Sequence, residues 1–274
     1  MPHSPIHHVV LDIEGTTCPV EYVSEVLFPY ADHHLAGFLS THGHDPNVAT
    51  LVKQIKEAWK QDTDPSAQAL RQCEADTRHE AMDNQSSASI QASSLTVSPL
   101  DDLERVVVYL QWLIQQDRKL PALKELQGLI WEDGYRSGLL QGPLFADVAP
   151  ALKRWQEAGL ILSVYSSGSR KAQQLLYQYS NAGDLRPLFK HWFDTKIGSK
   201  LEPNSYEQIC KHLASPPADV LFISDSLAEL QAANHAGLTV LHSDRSQHSN
   251  PTQDTGGFSS IRSFSNLDPN NAPL

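Results

Sequence analysis

Cysteine is scarce in this chain. Only Cys18, Cys73 and Cys210 occur among 274 residues. The number is odd and no Cys-x-x-Cys pair is present, so neither a disulfide framework nor a thiolate metal knuckle is expected. A reducing compartment fits that usage. Positive charge is also short: 21 Lys and Arg stand against 32 Asp and Glu, a formal charge of −11. That balance argues against nucleic acid or an anionic membrane as a main partner. No Lys or Arg precedes Lys53, so neither a basic signal-peptide start nor an Arg-rich transit segment is expected. No apolar run approaches the roughly 20 residues that span a bilayer. Histidine is plentiful at 13. The His7-His8 and His33-His34 pairs are adjacent, however, and lack the i,i+4 spacing that sets two ligands on one helical face.

What is present reads as a globular α/β chain, 40% hydrophobic and 19% charged. His8-Val9-Val10-Leu11-Asp12 is a short β-branched run entering the loop Ile13-Glu14-Gly15-Thr16-Thr17, a buried strand leading to a loop. A helical stretch follows. Asp45-Pro46 predicts a helix start with a capping carboxylate and a first-turn proline, and Val48, Leu51, Val52, Ile55 and Trp59 recur at helical spacing behind it. Ser98-Pro99 repeats the signal ahead of Leu103, Val106, Val107, Leu110, Leu113 and Ile114; Leu123, Leu126 and Ile130 mark a third stripe. Between them, Asp83 to Ser98 is rich in serine and without periodicity, a flexible surface excursion.

From about residue 147 the pattern alternates. A helix carrying Val148, Leu152 and Trp155 ends at Gly159. Strands at Leu160–Tyr165, Val220–Ile223 and Leu238–Leu241 are separated by helices from Ser169, from Pro203 and from Ser226 to Ala236. Alternation of this kind predicts a parallel sheet with helices on both faces. The opening strand joins that sheet, so residues 1–18 and 144–274 form one α/β domain. Residues 19–143 form an inserted helical cap.

Ligands of open α/β sheets sit beyond the carboxyl ends of the strands. Asp12 and Glu14, Ser166-Ser167-Gly168, and Asp225 all fall at such ends, and Lys200 lies in the loop Thr195-Lys196-Ile197-Gly198-Ser199-Lys200. Taken singly, each has a plain reading: a turn residue for Asp12, a helix cap for Ser166-Ser167-Gly168 or Asp225, a solvated lysine for Lys200. Taken together in this order they are equipment for a phosphoester and Mg²⁺. Hard carboxylate oxygens hold the ion, hydroxyls at a helix N-terminus take phosphoryl oxygens, and the lysine offsets charge.

Leu11-Asp12-Ile13-Glu14-Gly15-Thr16-Thr17 resembles the first motif of the haloacid-dehalogenase-like (HAD) phosphohydrolases. Tyr165-Ser166-Ser167-Gly168-Ser169, Lys200 and Ser224-Asp225 resemble its second, third and fourth. Glu14 replaces the Asp that most members carry two residues after the nucleophile. This Asp-x-Glu-Gly-Thr-Thr form is similar to the enolase-phosphatase (acireductone synthase) branch of methionine salvage. So are Leu27-Phe28-Pro29-Tyr30, Asp117-Arg118-Lys119, Leu123-Lys124-Glu125-Leu126-Gln127-Gly128, Phe145-Ala146-Asp147-Val148 and Phe193–Lys200. The Val-Arg-Pro-Gly stretch usual for the branch is absent around His242-Ser243-Asp244-Arg245.

The resemblance implies a HAD-like Rossmannoid sheet with an inserted helical cap. It implies Asp12 as nucleophile and Glu14 as general acid and base. One Mg²⁺ would be held by Asp12, Asp225 and the main-chain carbonyl of Glu14, and phosphoryl oxygens by Ser166, the amide of Ser167 and Lys200. Glu229 stands one turn after Asp225 as a supporting residue or a plain surface position. The implied substrate is a small phosphorylated diketone, with Tyr22, Phe28, Lys119 and Trp131 as cap candidates for its recognition, although core packing also accounts for the aromatics. The chain is expected to be a cytoplasmic monomer, with the nucleus as a second compartment. A HAD phosphatase with another substrate, a metal-independent dehalogenase, and a catalytically silent binding protein are the rival readings. The retained Asp225 and Glu14 speak against the second, and the full set of Asp12, Lys200 and Asp225 against the third.

Overall fold

The computed structural model describes residues 5–72, 102–245 and 255–270. The serine-rich stretch and the helix start at Ser98-Pro99 lie outside them. The described chain divides into two compact units, residues 1–27 with 132–274, and residues 28–131.

The first unit is built on a parallel sheet. Its strands are β1 (His8–Leu11), β2 (Ile161–Tyr165), β3 (Phe189–Phe193), β4 (Val220–Ser224), β5 (Thr239–Ser243) and β6 (Ser260–Ile261), in the order β3-β2-β1-β4-β5-β6. All residues of β1 and β4 are buried, as expected of central parallel strands covered on both faces. The chain runs from β1 outward to β2 and β3, then returns to the other side of β1 for β4. The topological switch point therefore lies between β1 and β4, where ligands bind at the strand ends. Leu11 is in register with Ile223, which sets Asp12 and Asp225 just past the ends of adjacent strands, roughly 5 Å apart in the sheet direction.

Helices α6 (Val148–Glu157), α7 (Arg170–Gln178), α8 (Pro203–Leu213) and α9 (Leu227–His235) flank this sheet. The first ends as the sequence predicts: Gly159 has φ 87° and Leu160 N–H donates to Trp155 O at 3.0 Å. Tyr206, Ile209, Phe222, Leu230 and Phe193 form the core on one side. Each large apolar side chain so buried contributes about 1.5–3 kcal/mol. Strands β3 and β6 are absent from the sequence reading. The first carries Lys190 and His191 within five residues, and the second is two residues long, too short for any periodic signal. The C-terminal stretch returns to the sheet unit: Phe264 and Leu267 are buried, and Arg154 and Trp155 donate to their carbonyls at 2.8 and 3.0 Å.

The second unit is helical, with α1 (Phe28–His42), α2 (Pro46–Gln61), α3 (Pro65–Gln72), α4 (Asp102–Gln115) and most of α5 (Pro121–Arg136). The apolar stripe of α2 is buried as its spacing requires. Asp45 does not cap that helix with its side chain; the carboxylate meets His42 Nδ1 at 3.0 Å instead. Trp59 stacks on Tyr109 with centroids 4.6 Å apart.

The units divide at 27/28 and 131/132, inside the 19–143 segment assigned to the cap from sequence. The reason is side-chain pairing. The Tyr22 and Tyr135 hydroxyls are 2.9 Å apart, Tyr135 stacks on Tyr179, and Glu132 pairs with Lys171. These contacts tie both ends of the inserted segment to the sheet unit. No helix among the described residues is long and apolar enough to cross a membrane.

Candidate active site

The site grows from the end of β1. The ladder continues to Asp12, whose N–H donates to Ile223 O at 3.0 Å. The chain then turns through Gly15 at φ 66°. A Cβ built on Gly15 would lie 2.1 Å from Asp225 Oδ2. The two acidic loops are therefore packed in direct contact, and only glycine allows the approach. Thr17 closes the turn, its hydroxyl 2.8 Å from Tyr177 Oη.

Lys200 joins the acids. Its ammonium lies 2.6 Å from Asp12 Oδ1 and 2.6 Å from Glu229 Oε2, with the lysine side chain 8% exposed. Burial by itself lowers a lysine, but Asp12 and Glu229 outweigh it and push Lys200 up to about 12. The lysine is therefore a fixed cation. Its loop is pinned on several sides. Tyr206 donates to Lys200 O at 2.8 Å, Tyr165 to Gly198 O at 3.1 Å, and Ser205 to Ser199 O at 2.7 Å. Gly198 is required here too, since a Cβ would meet Ser205 Oγ at 2.1 Å.

One lysine does not balance four carboxyl groups. Burial first, then the Asp12 charge, raises the Glu14 carboxyl. The same causes in the same order raise Asp225 to about 6 and Glu229 to about 7. Such a surplus of buried and half-buried negative charge is the setting for a divalent cation. Among the described residues no three His, Cys, Asp or Glu side chains converge as a ready-made metal centre. A hard ion at this place would draw on the Asp12 and Asp225 carboxylates plus main-chain oxygen, which fits an oxygen-only donor set.

The hydroxyl-rich segment follows β2. Ser166 is 3% exposed and its Oγ accepts from Gly168 N–H at 3.1 Å. Ser169 caps α7 through Ala172 N–H, and Ser226 caps α9 through Glu229 N–H. The capping roles considered for Ser166-Ser167-Gly168 and for Asp225 thus belong to neighbouring serines. Ser167 is exposed.

Several participants have no role assigned from the sequence. Gln173 Nε2 donates to Gly168 O and Phe193 O, both at 2.8 Å, and so shapes the Ser166–Gly168 turn. The only local hint is a polar residue in phase with buried Leu176 and Tyr177. Asp194 accepts from Lys196 N–H at 3.0 Å and Arg170 N–H at 3.4 Å, linking the lysine loop to α7. Ser224 donates to Glu229 Oε2 at 2.9 Å, which fixes Glu229 in place beside Lys200. The cap candidates fall differently. Tyr22 is buried against Tyr135; Phe28 and Trp131 are ring neighbours at 6.1 Å within the helical unit. Lys119 lines a cavity of about 310 Å³ there with Arg118, Asp62 and Tyr109.

The haloacid dehalogenase-like hydrolase family matches the chain over residues 6–237. Enolase-phosphatase E1 of Synechococcus sp. (strain RCC307) is 48% identical over 237 residues, covering 86% of this chain and 84% of that protein. The chain belongs to the haloacid dehalogenase-like hydrolases, in their enolase-phosphatase E1 branch. Enolase-phosphatase E1 of Parasynechococcus marenigrum (strain WH8102) is 41% identical over 263 residues, 96% of this chain and 98% of that one. Among solved structures, the UTR4 protein (Unknown transcript 4 protein) of Saccharomyces cerevisiae has a TM-score of 0.62 and 28% identity, covering 96% of this chain and 100% of that one. The parallel sheet is thus that of a HAD-like hydrolase.

Proposed function

We propose that this protein is an Mg²⁺-dependent enolase-phosphatase of methionine salvage. It converts 2,3-diketo-5-methylthiopentyl-1-phosphate to acireductone (1,2-dihydroxy-3-keto-5-methylthiopentene) and phosphate. The observation that carries the reading is the buried Lys200 ammonium held at 2.6 Å by both Asp12 and Glu229 beside Asp225. A solvated lysine and a turn aspartate have no reason to be so placed.

Asp12 attacks phosphorus in line and becomes an aspartyl-phosphate while the leaving oxygen departs. Glu14 delivers a proton to that oxygen. Its raised affinity for a proton suits a general acid, and the carboxylate that remains takes a proton from the hydrolytic water. Ser166 and the amide of Ser167 bind the phosphoryl oxygens, and Lys200 offsets their charge while orienting Asp12. Asp12, Asp225 and the Glu14 carbonyl would hold Mg²⁺, which would supply Lewis-acid chemistry at the site.

The proposed working form is a monomer. The reducing-compartment cysteine usage supports a cytoplasmic place; none of the relatives supports the nuclear expectation. The test is phosphate release with and without chelator, with ultraviolet detection of the enol intermediate, run beside a panel of sugar and nucleoside phosphates. Phosphate release from the panel at rates equal to the diketone would refute the assignment in favour of a broader phosphatase. Unchanged turnover in EDTA would remove the metal.

A further inference from the structure

Both acidic loops are gripped from a third place, the end of β5. His242 Nε2 lies 3.2 Å from the carbonyl oxygen of Asp225, Ser243 Oγ donates to Gly15 O at 3.2 Å, and Arg245 Nε donates to Thr16 O at 3.0 Å. A carbonyl oxygen only accepts, so His242 carries a proton on Nε2; its Nδ1 lies 3.1 Å from Ser260 Oγ. His242 is 4% exposed and Ser243 1%. The Arg245 guanidinium lies between the rings of Phe145 and Phe264, 4.6 and 4.3 Å from their centroids, and donates to Asp147 at 2.8 Å. These are rigid anchors rather than flexible surface groups.

The geometry explains why anchors are needed. The ladder between β1 and β4 ends at the Asp12–Ile223 bond. Beyond it the two loops lean on each other through the Gly15–Asp225 contact. Two loops in mutual contact still slide as a pair unless something outside them sets their place. The β5 side chains reach main-chain oxygens of both, at Gly15 and Thr16 on one and at Asp225 on the other.

We propose that His242, Ser243 and Arg245 are positioning residues that set the Asp12 and Asp225 carboxylates at the spacing one divalent cation requires. This rests on the function proposed above. None of the three touches the reacting atoms; each acts through the backbone that carries a ligand. Their loss weakens metal binding and the chemical step while leaving the phosphoryl-binding groups Ser166 and Lys200 in place.

The test uses the full chain and the variants Ser243→Ala, His242→Leu and His242→Gln. Mg²⁺ is titrated calorimetrically into the resting protein without substrate, melting is followed in EDTA, and kcat and KM are measured at saturating Mg²⁺. The expected result is an Mg²⁺ Kd raised on the order of tenfold in Ser243→Ala and His242→Leu, the size usual for loss of a partner behind a metal ligand. With it come a lowered kcat and a KM for the phosphorylated diketone close to that of the unaltered protein. His242→Gln, whose amide can still donate to Asp225 O, recovers most of the Mg²⁺ affinity. Ser243→Ala removes one oxygen and nothing else, so it decides the matter if His242→Leu folds poorly. Unaltered Mg²⁺ affinity in Ser243→Ala overturns the proposal, as does an equal loss in His242→Leu and His242→Gln. If the unaltered protein itself takes up no Mg²⁺, the proposed function falls too; if it does and the variants match it, only this inference falls.

Discussion

Replacing Lys200 by methionine keeps most of the side-chain volume and removes the one cation between Asp12 and Glu229. Two carboxylates then lose a partner at 2.6 Å inside a site where the lysine is 8% exposed. Removing one member of a buried ion pair costs about 3–5 kcal/mol, because the remaining charge stays desolvated. At roughly 2–4 °C per kcal/mol for a chain of this size, the melting temperature in EDTA at pH 8 should fall by roughly 10 °C. The loss should shrink at pH 6. Burial and Asp12 already raise Glu229 to about 7 with the lysine in place. At the lower pH this carboxyl holds a proton in the folded variant, and one buried charge disappears. The sign follows from linkage: a carboxyl raised above its ordinary 4.5 makes the fold less stable as pH climbs through the interval between the two values. Adding Glu229→Gln should recover at least half of the lost stability without recovering phosphate release. Thermal melts followed by circular dichroism at the two pH values provide the measurement. A Lys200→Met protein that melts within about 2 °C of the unaltered chain at pH 8 would refute the claim that this lysine neutralises buried acid.

Gly15→Ala forces a side chain into a backbone conformation that costs about 1–2 kcal/mol for an L residue and drives its Cβ into the Asp225 carboxylate. Turnover should fall by roughly a hundredfold or more, the scale of an ångström-sized misplacement, while the protein stays folded by circular dichroism. Gln173→Leu leaves the Gly168 and Phe193 carbonyls without their amide donor. Steady-state kinetics should show KM for phosphorylated substrate raised more than kcat is lowered, with stability down by about 1–3 kcal/mol. For Asp147, burial raises the carboxyl, but bonds from Arg245 and the Phe264 amide prevail and hold it below its ordinary 3.8. Its contribution to stability is present above that ordinary value and is lost as pH drops through the lowered one. Urea unfolding should therefore show Asp147→Asn weaker by about 2 kcal/mol at pH 7. The gap should close in strongly acidic solution; a gap that persists there would show that the carboxylate's charge is not the cause.

Much of the fold is written locally. The β-branched run at His8–Leu11, the stripe of α2 and the Gly159 stop are each decided by a few neighbouring residues, because side-chain period and φ preference act over one or two turns. Asp12, Ser166, Lys200 and Asp225 were legible for the same reason: each ends a strand or occupies the loop beside one, where an α/β sheet keeps its chemistry. The Asp45 cap misled because a carboxylate near a helix start has competing partners, here His42. The strands β3 and β6 escaped because a polar or two-residue strand has no period to read.

What sequence alone determined, then, is the kind of sheet, the helical character of the insertion and the four places where acid, hydroxyl and lysine would stand. Tertiary structure alone decided which of them meet. Lys200 reaches Asp12 across 188 residues, and Ser243 reaches Gly15 across 228. Those pairings depend on strand order, since β4 returns to the side of β1 opposite β2 and brings β5 in behind it. That order follows from how the whole apolar core closes, a sum over contacts distant in the chain, and no local window of residues contains it.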